Sequence, residues 1–386
     1  MRGRRVRLDL GSVTPTAASF GRDVLPYGVF STSGRDARVG VAVDDGVLDL
    51  ADAFGGEWAV PSLNPFMAQG REVWRTVRER VRNLVDRPLV DVADATLHLP
   101  FSVGDFVDFY ASEQHATNLG RMFRPHGEPL LPNWKQLPVG YHGRSGTVTV
   151  SGTPVRRPCG LRLPGPEYGP SRKLDVEAEL GFVVGTPSVL GERIPTSRFE
   201  DVVFGVVIVN DWSARDLQAY EYVPLGPFLG KSFQTSISPW VVPLDALPRT
   251  TAPVQDPEPA GYLQGGRDWA LELELELELD GEVLSRPPYV GTYWTPPQLL
   301  AHLTGNGASV RTGDLFASGT VSGVERDQRG SLIELSWNGA EPLQLRDGSR
   351  RSFLEDGDEV VIRARTRSGQ SLGEVSGRIL PAHPVR

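Results

Sequence analysis

Residues able to do chemistry gather in three short segments. Asp108 and His115 lie in Asp105-Phe-Val-Asp-Phe-Tyr-Ala-Ser-Glu-Gln-His-Ala-Thr-Asn, Glu177 and Glu179 in Leu174-Asp-Val-Glu-Ala-Glu-Leu-Gly-Phe-Val-Val, and Asp211, Arg215, Gln218 and Lys231 in the run from Val209 to Phe233. Four carboxylates with no Cys and no clustered His suit a hard divalent cation, Mg²⁺ or Ca²⁺, and not zinc. Glu177 and Glu179 are two apart on a strand-like run, so they share a face. With tips about 5 Å apart they repel by roughly 1 to 3 kcal/mol at effective dielectric constants of about 80 to 20, so the pair needs water or a cation. An isolated Glu-x-Glu is most often an edge strand facing solvent; the company of Asp108 and Asp211 favours the cation. His115 carries the side chain that titrates nearest neutrality and can take a proton from water. It follows Asp108 by seven residues, two turns if the segment is helical, which would turn both toward one cleft. Lys231, beside Arg215 and Gln218, reads as a point charge for an anion or oxyanion.

Two conspicuous patterns are set aside. Gly226-Pro-Phe-Leu-Gly-Lys-Ser has three residues between its glycines, whereas a phosphate-cradling loop needs about four, and Phe228 and Leu229 would crowd a phosphate. Leu271 to Leu279 alternates with Glu272, Glu274, Glu276 and Glu278 and ends at Asp280-Gly281. Same-face positions on a strand are about 7 Å apart, so this row is a solvated sheet face running into a hairpin turn and not one ion's cage.

The elements that must hold these residues are mainly strands. Gly 43 and Pro 32 in 386 residues favour short strands and shaped loops over long helices. Residues 26–50 read as strands with a turn at Asp44-Asp45-Gly46. One helix is expected from Asn64, with Pro65 in its first turn and Val73, Val77, Val81 and Leu84 on its apolar face. Another is expected from Pro296 to Leu303, capped by Thr295 and stopped at Gly305. The composition shift at Pro100 divides the chain into residues 1–100 and a catalytic remainder, residues 101–386.

Composition also excludes classes. The net charge of -8 opposes nucleic acid as the main partner. No apolar run approaches the ~20 residues of a membrane span. A single cysteine, Cys159, allows no internal disulfide and suits a reducing compartment, the cytoplasm by default. Arg2, Arg4, Arg5 and Arg7 begin the chain without an apolar stretch behind them, so they read as a basic extension and not a signal peptide.

Several motifs in order, Asp108-Phe-Tyr with His115-Ala-Thr-Asn, Leu131-Pro-Asn-Trp, Pro138-Val-Gly-Tyr-His-Gly-Arg, Ser151-Gly-Thr-Pro, Asn210-Asp-Trp-Ser-Ala-Arg-Asp, Gly226-Pro-Phe-Leu-Gly-Lys-Ser and Ala317-Ser-Gly-Thr, resemble the fumarylacetoacetase family from about Tyr27 to the C-terminus. The resemblance implies a mostly β (α+β) protein: a small N-terminal SH3-like β-barrel and a large mixed β-roll catalytic domain. It implies a homodimeric, metal-dependent hydrolase that cleaves a carbon-carbon bond of 4-fumarylacetoacetate, a diketo-dicarboxylate, in tyrosine and phenylalanine catabolism. By motif, Asp108, Glu177, Glu179 and Asp211 match metal ligands, with Lys231 and Thr235 adjoining the ion. His115 matches the general base and Glu334 its orienting partner. Arg215, Gln218 and Lys231 match oxyanion and leaving-group stabilisers, and Tyr110, Arg124, Tyr141, Tyr222 and Thr320 match substrate contacts. An acylpyruvate hydrolase, decarboxylase or isomerase of related dicarbonyl acids would use the same scaffold, because chemistry is set by the site and not the fold.

Overall fold

A computed structural model describes residues 20–163 and 165–385; the basic extension lies outside them. The protein is mostly β with short helices, as its Gly- and Pro-rich sequence predicts. Its centre is the pair of antiparallel strands Ala178–Val184 and Val203–Asn210, both buried along their whole length. These runs are apolar on both faces because each face meets a different core. Leu180, Phe182, Val206 and Ile208 join one apolar cluster. Val183, Val207 and Val209 join the other. The edge-strand reading of Glu177 and Glu179 therefore fails, since the strand they open is flanked by Val203–Asn210 and by Leu315–Ala317.

Register carries the chemistry to one end of this sheet. Ala178 stands opposite Asn210, so Glu177 and Glu179 enter where Asp211 leaves. Ala317 pairs with both Gly181 and Asp108, and Asp108 in turn with Tyr141. Asp108 and Ala317, 209 positions apart in the chain, thus end side by side. The motif Ala317-Ser-Gly-Thr needs its glycine: Gly319 has φ +75°, and a Cβ there would lie 2.2 Å from the Phe109 carbonyl oxygen.

The N-terminal strands Tyr27–Thr32, Arg35–Val43, Gly46–Asp49 and Val90–Asp91 are paired in sequence, with the expected tight turn after Val43. They do not close on themselves. Tyr27 and Gly28 pair with Val241 and Trp240, so these strands continue the large sheet. The helix expected from Asn64 is two: Asn64–Met67 and Arg71–Arg82. Gly70, at φ +86°, separates them, and Asn64 is no cap. Its side chain instead bonds Ser102 N at 2.8 Å and the carbonyls of Ser102 and Thr312 at 3.2 and 3.1 Å, tying the first hundred residues to the rest. The helix Pro296–Leu303 forms as expected, with the Gln298 side chain accepting from Thr295 N at 3.0 Å. Among the described residues no helix is long and apolar enough to cross a membrane.

Candidate active site

Asp108, Glu177 and Glu179 each bring a carboxylate oxygen within 4.8 Å of the others, all three buried. Both Glu179 oxygens and Asp108 Oδ1 have no hydrogen-bond partner. An ionised carboxylate held this way costs several kcal/mol unless a cation offsets it. Burial first, and then the charges of the neighbouring acids, pushes the Asp108 and Glu179 carboxyls well above the usual carboxylate range. All-oxygen donors left without protein partners fit a hard divalent ion.

Glu177 and Asp211 differ because cations reach them. Arg215 Nη2 donates to Glu177 Oε1 at 2.7 Å, and Lys231 Nζ contacts Glu177 Oε2 closely and Asp211 Oδ2 at 3.0 Å. Burial opposes ionisation of Glu177, but Arg215 and Lys231 outweigh it and depress its pKa. Lys231 is likewise buried, yet Asp211 and Glu177 hold it protonated. It is a counter-ion to two acids, and an ammonium has no lone pair to offer a metal. Thr235 Oγ1 donates to Asp211 Oδ1 at 2.6 Å. Tyr141 donates its phenol proton to Asp211 Oδ2. Among the described residues, Arg215 and Lys231 are the lysine and arginine paired to these acids, two cations against five carboxylates counting Asp175, so the pocket is short of positive charge.

His115 does not share a helix with Asp108. Asp108 sits in the strand Phe106–Phe109, and His115 in the first turn of the helix Glu113–Phe123, where Ser112 caps by accepting from His115 N. The turn between them redirects the chain, and the two still face one pocket. His115 Nδ1 lies 2.6 Å from Glu334 Oε2. Glu334 is fully buried, which alone would favour its neutral form, but His115, Asn118 and Ser331 bring its pKa down to about 2. An ionised carboxylate only accepts hydrogen bonds, so Nδ1 carries a proton and Nε2 is the ring nitrogen left for the pocket. Nε2 points toward Glu177, with 3.9 Å to Oε1.

Glu334 is held on every side: Asn118 Nδ2 donates to Oε1 at 2.9 Å, and the hydroxyls of Ser322 and Ser331 donate to Oε2 at 2.9 and 2.7 Å. The sequence reading missed all three groups. Ser331-Leu-Ile-Glu334 has the serine-to-acid spacing of a helix start, a usable signal; Asn118 sits three residues after His115 on the same helix face. It also missed Asp175, which accepts from Arg215 Nε at 2.7 Å. Period two would have put Asp175 with Glu177 and Glu179.

The other expected residues divide. Gln218 Oε1 accepts from Arg215 Nη1 at 3.1 Å. Tyr110 lies edge-on to His115, ring centroids 5.3 Å apart, and Thr320 Oγ1 is buried without a partner. Arg124 is turned into its own loop, its Nη2 donating to Pro129 O at 2.6 Å. Tyr222 is exposed and stacked on Phe123.

Two family descriptions match the chain: fumarylacetoacetase N-terminal over residues 23–100, and fumarylacetoacetate hydrolase C-terminal over residues 106–380. The chain belongs to the fumarylacetoacetase family. It is 45% identical to the human fumarylacetoacetase over 399 residues, covering 93% of this chain and 95% of the human one. The Caenorhabditis elegans fumarylacetoacetase is 44% identical, with 95% and 98% covered. Among solved structures, a fumarylacetoacetate hydrolase from Exiguobacterium antarcticum superposes with TM-score 0.56 at 18% identity, over 93% of this chain and all of that one. A maleylpyruvate hydrolase from Sphingobium gives 0.56 at 17%, with the same coverage. At such identities the structures speak for the fold alone, whereas the sequence relatives make the protein an enzyme, a hydrolase of the fumarylacetoacetase type.

Proposed function

We propose that the protein hydrolyses 4-fumarylacetoacetate to fumarate and acetoacetate, with a divalent cation, Mg²⁺ or Ca²⁺, in the breakdown of tyrosine and phenylalanine. The observation that carries the reading is the His115–Glu334 pair turned toward Glu177, which clusters with the buried, partnerless carboxylates of Asp108 and Glu179, in a chain 45% identical to the human fumarylacetoacetase. Asp108, Glu177, Glu179 and Asp211 would hold the ion, with Thr235 and Lys231 fixing Asp211. When bound, such an ion supplies a Lewis acid for the two oxygens of a 1,3-diketone.

His115 Nε2 takes a proton from water, and Glu334 holds the ring in the required tautomer and steadies the imidazolium. The hydroxide adds to the carbonyl next to the fumaryl alkene. The bond from that carbon to the acetoacetate methylene then breaks, its electron pair leaving on the acetoacetate fragment as an enolate, which is protonated. Lys231, Gln218 and the donors of Arg215 not engaged by Asp175 and Glu177 meet the developing negative charge. Tyr110, Arg124, Tyr141, Tyr222 and Thr320 are the substrate contacts in this reading; Arg124 must leave its loop carbonyl to reach a carboxylate.

Homodimeric assembly, a cytoplasmic location, a division near Pro100 and an SH3-like character for the first hundred residues belong to the same proposal. The adjoining family matches at 23–100 and 106–380 support the division. The test is loss of the conjugated diketone absorbance when purified protein meets fumarylacetoacetate with Mg²⁺ or Ca²⁺. Absence of loss, or isomerisation or decarboxylation of a related dicarbonyl acid in its place, would overturn the reading.

A further inference from the structure

We propose that Asp175 is a positioning residue that locks the arginine and the histidine arms of the site to one another, a role that rests on the hydrolytic reading of Arg215 and His115 above. Asp175 is fully buried in a two-residue strand, Leu174–Asp175, opposite Ser213–Ala214, which leads into the helix bearing Arg215. Its Oδ2 accepts from Arg215 Nε at 2.7 Å. The same carboxylate accepts from two backbone N–H groups of the segment that carries Glu334: Leu332 N to Oδ1 at 2.8 Å and Ile333 N to Oδ2 at 3.2 Å. Those residues immediately precede Glu334, whose Oε2 accepts the hydrogen bond from His115 Nδ1. Val176 N, at 2.9 Å from Oδ1, fixes the carboxylate plane.

One side chain therefore sets two geometries. The Nε contact orients the guanidinium so that Nη2 meets Glu177 and Nη1 meets Gln218. The contacts to Leu332 and Ile333 fix the turn from which Glu334 reaches the imidazole. Asp175 touches neither the reacting atoms nor the acids left without partners, so it acts only through Arg215 and Glu334. A carboxylate is needed because all four groups that approach it are N–H donors, and a carboxamide would turn one donor against another.

The experiment uses the full-length enzyme with added Mg²⁺ and two variants, D175N, which keeps the volume, and D175E, which keeps the charge. Removal of such an outer support typically costs about 10- to 100-fold. We expect kcat on fumarylacetoacetate to fall by that factor in D175N and less in D175E, with KM changed by less than about threefold. The second readout needs no turnover: the proton NMR signal of His115 Nδ1–H, shared with Glu334, should shift or broaden in D175N. If the parent enzyme fails on fumarylacetoacetate, the substrate reading falls while this signal still decides the role of Asp175. A folded variant with kcat within threefold of the parent and an unmoved His115 proton overturns the proposal. So does failure of both variants to fold, which would make Asp175 a structural residue only.

Discussion

Two rows of acids in this molecule look alike in sequence and behave oppositely. On the strand Leu273–Leu279, Glu276 and Glu278 project from the face opposite the buried leucines. Arg363, opposite Glu276 on the neighbouring strand, bonds Glu278 at 2.6 Å and Glu374 at 3.0 Å, and Arg286 bonds Glu276 at 2.8 Å. At the end of the central sheet, Asp108 and Glu179 are buried deeper and have no cation of their own. The count of carboxylates does not separate the two regions. What does is whether the fold supplies each acid with a partner before any ligand arrives.

The contrast breaks most visibly under substitution. Glu179→Ala should lower turnover by at least about a thousandfold with Mg²⁺ present, the scale of losing a Lewis acid worth several kcal/mol, whereas Glu278→Ala should leave the rate of diketone loss within about twofold. His115→Ala should lower turnover by about 100-fold or more, as for removal of a positioned base, measured in the same assay.

Stability sharpens the comparison. The Asp108 and Glu179 carboxyls are raised in the folded protein, so without a cation the native state binds more protons than the unfolded state. Stability of chelated protein should then fall as pH rises above the ordinary carboxylate range, and Mg²⁺ or Ca²⁺ should restore it. Thermal unfolding at several pH values, with and without chelator, reads this directly; equal melting temperatures throughout would contradict it. Glu334 has the opposite sign: its pKa is depressed to about 2, so its contribution is present above about 4.5 and is lost as pH falls toward 2. Glu278→Gln should cost about 1 kcal/mol or less in denaturant melts, since its ion pair stays within reach of solvent.

Much of the site is legible in the amino-acid order, for a physical reason. Asp108, Glu177, Glu179, Asp211 and His115 are polar residues at the ends of runs that must be buried, and a polar residue there demands an explanation. What linear spacing could not reveal is how strands are aligned. The relation of His115 to Asp108 depends on a strand, a capping serine and a helix start, and not on two helical turns. The break at Gly70 was hidden because valines spaced along Arg71–Arg82 mimic a longer helix. Asp175 accepts from Leu332 N and Ile333 N, 157 and 158 positions further along, and the bridge between Glu177 and Ser331 joins the same two segments, a pairing that spacing alone does not show.

The pairing of Tyr27 and Gly28 with Val241 and Trp240 has a further consequence. A fragment lacking the first hundred residues would bare one side of Trp240–Pro243 and leave its amides and carbonyls seeking a substitute. A fragment of residues 101–386 should therefore scatter more light than the full chain at equal concentration, and equal scattering would show that this flank is harmless.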